Sequence, residues 1–401
     1  MIASDDPAVR TMKLRPGAQA GLLACGMFTT IGLFSPGLVL PQIEKAFAGT
    51  PHVELLVQLI GAIASFSFAV GAPFAGALIA RVGCRRVMLP SLILFAIAGT
   101  APALLDNLWV ILATRVLLGL SLSGIFTGGL AGIGAMPEDI RARMFGWYSV
   151  VGGTMAIAMF PIVGVLARYG WHLPFVIHLL AAAVVPLVAL LPRELGQVMP
   201  GAATAGDGSG RLMSPAMIGL LVMAVLVGMG MFIGPMYSPL YLSSLGITDT
   251  RLLAIPITLG SVAAAFSAAI YGFLHRKLGI AGVSAATMLT MGAALVIAGT
   301  AGAIPVFTLA IIVHSATIAV MAPHVSATAL ALAPPGKGSQ AMGLGNGVMF
   351  GSQLLFPFVA GWIRGETSIM GVFLAFGGAA LLMGLAIVAR LGAARSRPVA
   401  A

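Results

Sequence analysis

The sequence predicts an all-α membrane protein of twelve transmembrane helices, arranged as two pseudo-symmetric bundles of six helices. Of its 401 residues, 59% are apolar and only 8% are charged, whereas about 25% of residues are charged in an ordinary soluble domain. Apolar stretches follow one another with short polar interruptions, and each is long enough to cross about 30 Å of hydrocarbon as a helix. The stretches are continuous rather than alternating, which excludes a β-barrel. An internal repeat, in addition, indicates the division into two bundles.

The twelve spans divide evenly around the middle of the chain. We predict helices at residues 17–41, 54–80, 87–105, 108–136, 141–168, 171–191, 215–243, 250–275, 280–302, 304–333, 338–363 and 367–391. Residues 192–214 are rich in glycine and charge, which indicates a flexible polar linker. The expected domains are therefore an N-terminal bundle (1–191), the linker, and a C-terminal bundle (215–401).

The basic residues indicate how the spans are oriented. With both termini in the cytoplasm, inside segments hold 16 of the 21 Lys and Arg residues and outside loops hold four. The positive-inside rule therefore predicts cytoplasmic N- and C-termini. These basic residues are scattered between apolar stretches and form no basic stripe, so the net charge of +10 does not indicate nucleic-acid binding.

Prolines, glycines and arginines recur at a nearly constant offset between the two halves. The matching pairs are Pro36 and Pro235, Pro41 and Pro239, Gly76 and Gly272, Gly83 and Gly279, Pro137 and Pro334, Phe160-Pro161 and Phe356-Pro357, and Arg168 and Arg364. The two members of each pair are 196 to 199 residues apart, and the pairs occur in the same order in both halves. This pattern indicates duplication of a six-helix unit.

Four segments have the pattern of one known family. Residues 76–86 read GALIARVGCRR, similar to the signature G-x-L-a-D-r-x-G-r-k-x after helix 2, and residues 115–119 (RVLLG) match an R-x-x-x-G motif in helix 4. Residues 160–164 (FPIVG) resemble a degenerate helix-5 antiporter motif. Residues 32–43 are similar to helix 1 of drug-proton antiporters. Nearly the whole chain thus resembles the major facilitator superfamily, closest in pattern to its 12-helix drug-proton antiporter branch.

The resemblance implies a cytoplasmic gate in the loop after helix 2. The gating residues that it implies are Gly76, Arg81, Gly83, Arg85 and Arg86. This chain departs from the family at Ala80, where a latching acid usually stands, and at Phe160, where glycine is usual. A latch must therefore use other groups, such as the arginines against helix ends or against Glu138 and Asp139.

Ionisable groups inside hydrocarbon are candidates for function because their insertion is costly. By our placement they are Arg115, His178, His314 and His324, and all eleven acids lie in loops or tails. Arg115 begins a stripe of small and polar residues on helix 4 that would face a cavity. Its guanidinium would there bind a carboxylate or sulfonate, or repel a proton from a titratable neighbour. Alternatively, it bonds helix carbonyls and packs the bundle. His314 lies within three residues of the repeat mate of Arg115 and suits reversible protonation.

Other polar groups are candidates for substrate binding or coupling. The set is Thr30 in helix 1, Tyr237 and Tyr241 in helix 7, His324 in helix 10, and Asn346 and Gln353 in helix 11. The two tyrosines are one turn apart beside a Gly-Pro break, a feature of transporter binding sites, although tyrosines at helix ends also form interface belts. Neither a metal site nor a cofactor motif is indicated.

The expected function is secondary active transport by alternating access between inward- and outward-open states. The resemblance favours proton-coupled export of small organic or amphipathic molecules by a monomer, with His314 and Arg115 as coupling elements. The acid-free interior favours an alternative, uptake or exchange of a small organic anion. A channel or membrane enzyme is a remote alternative. We expect a multi-pass protein of a cell membrane, of the bacterial inner-membrane type.

Overall fold

The computed structural model describes residues 14–196, 212–334 and 338–395. Within these ranges the regular structure is helical throughout and contains no strand. The chain forms two compact units, Met1–Ala205 and Gly206–Ala401. The boundary falls in the predicted linker, of which residues 197–211 lie outside the described part.

The first unit contains six helical segments. They are α1 (Pro16–Ala46), α2 (Val53–Val82), α3 (Cys84–Thr100), α4 (Leu108–Gly134), α5 (Glu138–Leu166) and α6 (Leu173–Val188). α1 is interrupted near Pro36, where a 3-10 turn at Gly37–Val39 separates Met27–Phe34 from Leu40–Ala46. α6 begins as a 3-10 helix and becomes α-helical at Leu180.

The second unit repeats this plan. Its segments are α7 (Pro215–Ser244), α8 (residues 250–278), α9 (residues 280–300), α10 (Ile304–Leu332), α11 (residues 338–366) and α12 (Ile369–Arg395). α7 is α-helical to Gly230, forms a π-helical turn at Ile233–Tyr237 and continues as an α-helix to Ser244. α11 contains a 3-10 turn at Ser352–Leu354.

The fold class predicted from the sequence is confirmed. Within the described ranges, ten helical segments are long and apolar enough to cross a bilayer. The other two are α6, which is shorter, and α11, which the 3-10 turn divides. Helix starts are specified by local side chains, because Asn107 accepts hydrogen bonds from the amides of Trp109 and Val110. Ser214 caps α7 in the same way.

Two matching glycine corners show how the halves repeat. Gly83 joins α2 to α3 with φ 89° and ψ 158°, and Gly279 joins α8 to α9 with φ 66° and ψ −179°. A side chain strains the backbone at these positive φ values, so glycine is the residue that both corners require. Each corner connects two membrane helices through a single residue.

The polar stripe that the sequence predicted along α4 packs against α2 over part of its length. Gly119 packs against the Ala64 carbonyl of α2, and a β-carbon at Gly71 of α2 would lie 2.6 Å from the Ser123 hydroxyl oxygen. The small residues let the two helix backbones approach closely, as is usual in membrane bundles. The stripe beyond Arg115 is therefore a packing seam between α2 and α4.

Candidate functional site

Arg115 is buried in the first unit and binds the end of α3. Its Nη2 atom donates hydrogen bonds to the carbonyls of Ala98 (2.6 Å) and Gly99 (3.0 Å), in the last turn of that helix. Its Cζ atom lies 5.3 Å from the ring centroid of Phe175 in α6. Carbonyls at a helix C-terminus carry partial negative charge, so α3 replaces the acid that a buried arginine usually needs. Nε and Nη1 bond no described residue.

His178 of α6 packs against the same turn of α3. Its ring occupies the space in which a side chain at Gly99 would stand. Its Nδ1–H donates to the Phe175 carbonyl at 2.9 Å, and Nε2 lies 3.5 Å from the Ser35 hydroxyl of α1. Arg115, His178 and Phe175 thus form one buried cluster, which we call the Arg115 cluster. Its contacts are those expected if Arg115 bonds helix carbonyls and packs the bundle. Two of the three guanidinium nitrogens have no partner among the described residues.

His314 of α10 binds α7 where that helix departs from α-helical geometry. Its Nε2–H donates to the Gly230 carbonyl at 3.0 Å. The side chain is 1% exposed, and Nδ1 has no partner among the described residues. Because Nε2 carries the hydrogen, Nδ1 is a buried acceptor with a free lone pair. This atom can take up a proton or accept a hydrogen bond from a ligand.

Gln353 of α11 meets the next residue of α7. Its side-chain nitrogen lies 3.5 Å from the sulfur of Met231, and its Oε1 atom is buried without a partner in the described chain. His314 and Gln353 therefore contact consecutive residues of α7. We call His314, Gln353, Gly230 and Met231 the α7-break site. It presents two unused acceptors in an otherwise apolar region.

Tyr237 and Tyr241 contact different neighbours. Tyr237 is fully buried in the π-helical turn, and its ring centroid lies 5.0 Å from that of Phe356. Tyr241 packs against Phe307 and Phe373 at ring-centroid distances of 4.8 and 5.5 Å. Its hydroxyl donates to a loop carbonyl at 3.4 Å. Only Tyr237 thus lies within the break of α7.

The other predicted binding or coupling residues each have separate surroundings. Asn346 of α11 exchanges hydrogen bonds of 3.0 and 3.2 Å with Ser326 of α10, which ties these two helices together. Thr30 of α1 is half-buried. His324 of α10 is fully buried and lies 2.7 Å from the Ser284 hydroxyl of α9.

The loop that the sequence predicts as a gate is bound by backbone carbonyls. The Cys84 amide at the start of α3 donates to the Leu195 carbonyl at 2.8 Å, and Arg85 donates to the Leu191 carbonyl at 3.4 Å. Gly83 lies against the carbonyl of Arg193. The loop is therefore held by the segment that follows α6.

The remaining gate candidates show no such contact. Arg81 and Arg86 are exposed, and Gly76 lies opposite Thr127 of α4. The predicted partners Glu138 and Asp139 have side chains outside the described part of the structure.

Three polar residues of the second unit were missed by sequence reasoning. Tyr271 and His275 lie one helical turn apart on α8, a spacing that could have found them. The third is Ser284 of α9. The contacts of His324 with Tyr271 and with Ser284 depend on tertiary packing, which no local pattern indicates. No described group of three or more His, Cys, Asp or Glu residues could hold a metal ion.

Comparisons with known proteins agree with this architecture. Residues 22–297 match the family model of the Major Facilitator Superfamily. A gentisate transporter of Corynebacterium glutamicum is 32% identical over 142 residues, 33% of this chain and 30% of that protein. A niacin transporter of Acinetobacter baylyi is 27% identical over 164 residues, 40% of this chain and 37% of that protein.

A third relative is a resistance protein. The class C tetracycline resistance protein of Escherichia coli is 33% identical over 174 residues, 40% of this chain and 41% of that protein. The matched stretches thus span 30 to 41% of the relatives' lengths.

Solved transporter structures share the fold over almost the whole chain. The nucleoside transporter NupG superposes with a TM-score of 0.76 at 15% identity, covering 93% of this chain and 99% of that one. A D-xylose-proton symporter superposes with a TM-score of 0.73 at 16% identity, covering 92% and 95%. The family and these relatives are transporters and not enzymes.

Proposed function

The chain belongs to the major facilitator superfamily and is a multi-pass transporter, and on this premise we propose that it exports small organic or amphipathic molecules in exchange for protons. The two units alternate between inward- and outward-open states around a substrate site near the membrane midplane. The protein acts as a monomer in a bacterial inner membrane, with both termini in the cytoplasm.

The observation that carries the proton coupling is the unused Nδ1 atom of His314. Exchange with protons requires a group that gains and loses a proton within the membrane. The described carboxylates lie at helix ends or in connections, as Glu44, Glu54 and Glu366 illustrate. Histidine titrates nearest to physiological pH among the side chains that remain. His314 combines burial, a free acceptor and a position at the break of α7.

The surroundings of His314 favour an amphipathic substrate. Met231, Met236, Met291 and Met321 are methionines near the break of α7 or on the helices that contact it. A β-carbon at Gly230 would lie 3.7 Å from the Met291 sulfur and 3.8 Å from the His314 ring. Flexible, polarizable thioethers adapt to varied apolar shapes. The tetracycline resistance relative and the drug-proton antiporter pattern support the same direction of transport.

A second candidate is uptake or exchange of a small organic anion. It is favoured by Arg115, whose Nε and Nη1 atoms are unused, and by the absence of carboxylates from the middle of the described membrane helices. Two relatives are named for gentisate and niacin, which are both aromatic carboxylates. A guanidinium binds such a group through two parallel hydrogen bonds.

A stabilisation screen distinguishes the two candidates. We would record thermal unfolding of the purified protein with tetracycline, gentisate or niacin at two pH values, one on each side of neutrality. Export predicts stabilisation by tetracycline that weakens as the pH falls, because protons and substrate compete. Stabilisation by the carboxylates alone would replace export with anion transport.

Proteoliposomes test the coupling. We expect His314→Gln to retain counterflow of the bound compound and to lose proton-driven accumulation, because the glutamine amide keeps the bond to Gly230 but takes up no proton at neutral pH. The matched control is His172→Gln, because the His172 side chain is half-exposed and lies in the other unit. Proton-driven accumulation by His314→Gln at the wild-type rate would exclude His314 as the coupling group.

A further inference from the structure

A line of polar groups runs through the second unit and has no part in the α7-break site. His275 and Tyr271 on α8, His324 on α10 and Ser284 on α9 are linked in that order. The Tyr271 hydroxyl oxygen lies 3.4 Å from Nδ1 of His275 and 3.5 Å from Nδ1 of His324. His324 Nε2 lies 2.7 Å from the Ser284 hydroxyl oxygen. The line joins three helices through side chains alone.

The inner end of the line has a defined hydrogen-bond direction. The Ser284 hydroxyl donates to the Ile280 carbonyl at 3.1 Å. Its oxygen therefore accepts a hydrogen bond from Nε2–H of His324, which leaves Nδ1 of His324 as the acceptor that faces Tyr271. The ring is fully buried and lies 6.0 Å from the tyrosine ring, between centroids.

The centre of the line has two possible hydrogen-bond directions. A tyrosine hydroxyl carries a single hydrogen, so Tyr271 donates to one of the two Nδ1 atoms and can accept from the other. When a neutral His275 carries its hydrogen on Nδ1, it donates to the Tyr271 oxygen and Tyr271 donates to Nδ1 of His324. When an added proton occupies Nδ1 of His324 and the hydrogen of His275 is on Nε2, the direction reverses, and bonds from a charged imidazole are shorter and stronger.

We propose that His275, Tyr271, His324 and Ser284 form a proton relay that leads from the C-terminal bundle to the end of α8. A proton binds Nδ1 of His324, which then donates to the Tyr271 oxygen while Tyr271 donates to Nδ1 of His275. Transfer breaks the N–H bond at Nδ1 of His324 and the O–H bond of Tyr271. It forms a new O–H bond on Tyr271 and an N–H bond on His275. Tyr271 is regenerated and the positive charge moves to His275.

The position of the relay suits release of protons at the cytoplasmic membrane surface. His275 precedes Arg276 and Lys277, which the charge distribution places in the cytoplasm. His324 lies eight residues before the end of α10, about 12 Å along the helix axis. His314 lies ten residues deeper on the same helix. The relay thus covers the outer part of a path from the proposed coupling group to the cytoplasm.

No carboxylate competes for the proton along this path. The α8–α9 pair packs against α10 and against α12, and none of these four helices contains Asp or Glu. The charged groups near the same helix ends are Arg276 and Lys277 of α8 and Arg390 of α12, which are exposed. A proton that leaves by this path therefore meets His324 first and His275 next.

The relay rests on the proposed proton coupling, but its chemistry can be tested without a substrate. We would label histidine with ¹⁵N, place the protein in lipid nanodiscs and follow the imidazole nitrogens by NMR during a pH titration. His275→Gln and His324→Gln assign the signals. The wild type should show His275 and His324 changing in one coupled, exchange-broadened transition. Tyr271→Phe should separate it into two independent transitions, because the bridging hydroxyl is gone and the ring is retained.

Matched controls separate this result from a general change in the protein. Tyr169→Phe removes the hydroxyl of an exposed tyrosine and should leave the coupled transition intact, with unchanged thermal unfolding in both phenylalanine variants. A transition that is the same in Tyr271→Phe as in the wild type would overturn the relay. In proteoliposomes, Tyr271→Phe should slow proton-driven transport at least tenfold and leave counterflow unchanged. Wild-type protein without proton coupling would overturn the proposed function, whereas the titration would still decide whether the proton is shared.

Discussion

His314 donates a hydrogen bond from Nε2 to the carbonyl oxygen of Gly230, 3.0 Å away, at the residue where α7 stops being α-helical. A carbonyl at such an end lacks its usual partner four residues later in the chain. α10 supplies that partner through a side chain. The bond therefore joins the shape of α7 to the protonation and position of one histidine.

The contact between α7 and α11 predicts unequal effects for two glycines of one helix. A β-carbon at Gly228 would meet the Met349 carbonyl and the Ser352 hydroxyl, whereas a β-carbon at Gly219 would meet nothing within 4 Å. We expect Gly228→Ala to destabilise the protein by about 1–3 kcal/mol, as overpacking does. Gly219→Ala should be neutral or slightly stabilising. Unfolding in detergent measures both, and equal effects would contradict the close packing.

Gln353 predicts opposite effects on stability and on solute binding. Its buried Oε1 has no partner in the described structure, and an unsatisfied acceptor of this kind costs about 1–3 kcal/mol. Gln353→Leu removes that cost at similar volume, so thermal stability should hold or rise. Affinity for the transported compound should fall if Gln353 contacts it. A variant that binds as tightly as the wild type would remove Gln353 from the substrate site.

Arg115 is expected to be important for stability. Arg115→Ala breaks the two hydrogen bonds to the last turn of α3, and bonds from a charged donor contribute about 1.5–3 kcal/mol each. Arg115→Lys keeps the charge but offers a single ammonium in place of the planar guanidinium. We therefore expect unfolding temperatures in the order wild type, Arg115→Lys, Arg115→Ala. An Arg115→Ala protein as stable as the wild type, but unable to bind a carboxylate, would instead favour an anion-binding role.

Cysteine labelling tests the predicted orientation. Cys25 and Cys84 are both buried, so the native protein in intact cells should react slowly with a membrane-impermeant maleimide. Glu366→Cys, at the end of α11, should label from outside. Lys277→Cys, near the end of α8, should label only after the membrane is opened. The opposite result for these two exposed positions would invert the topology.

Much of the fold was predictable because its signals are local. Apolar length indicates a span, and Pro36 and Pro235 lie where α1 and α7 are interrupted, since proline removes a helix hydrogen bond. The 3-10 turn of α11 was not predicted. Its local signal is Pro357, which cannot donate the helix hydrogen bond to the carbonyl of Gln353 within the turn.

The site was less predictable because spacing does not identify a neighbour. The period of α4 places Gly119 and Ser123 on one face, but it does not indicate that this face packs against α2. Likewise Tyr237 and Tyr241 share a helix face and contact different aromatic groups. Arg115 was foreseen as an intramembrane charge. Its charge is compensated by the carbonyls of α3. This contact depends on how α3 and α4 cross, and no local sequence pattern indicates the crossing.

The one-residue corners at Gly83 and Gly279 have a consequence for biogenesis. Because a single residue joins the two helices of each pair, neither helix can insert into the bilayer independently of the other. We expect α2 with α3, and α8 with α9, to leave the insertion machinery as preformed hairpins, each carrying its basic corner on the cytoplasmic side. Duplication would then have copied a unit of membrane insertion together with a unit of structure.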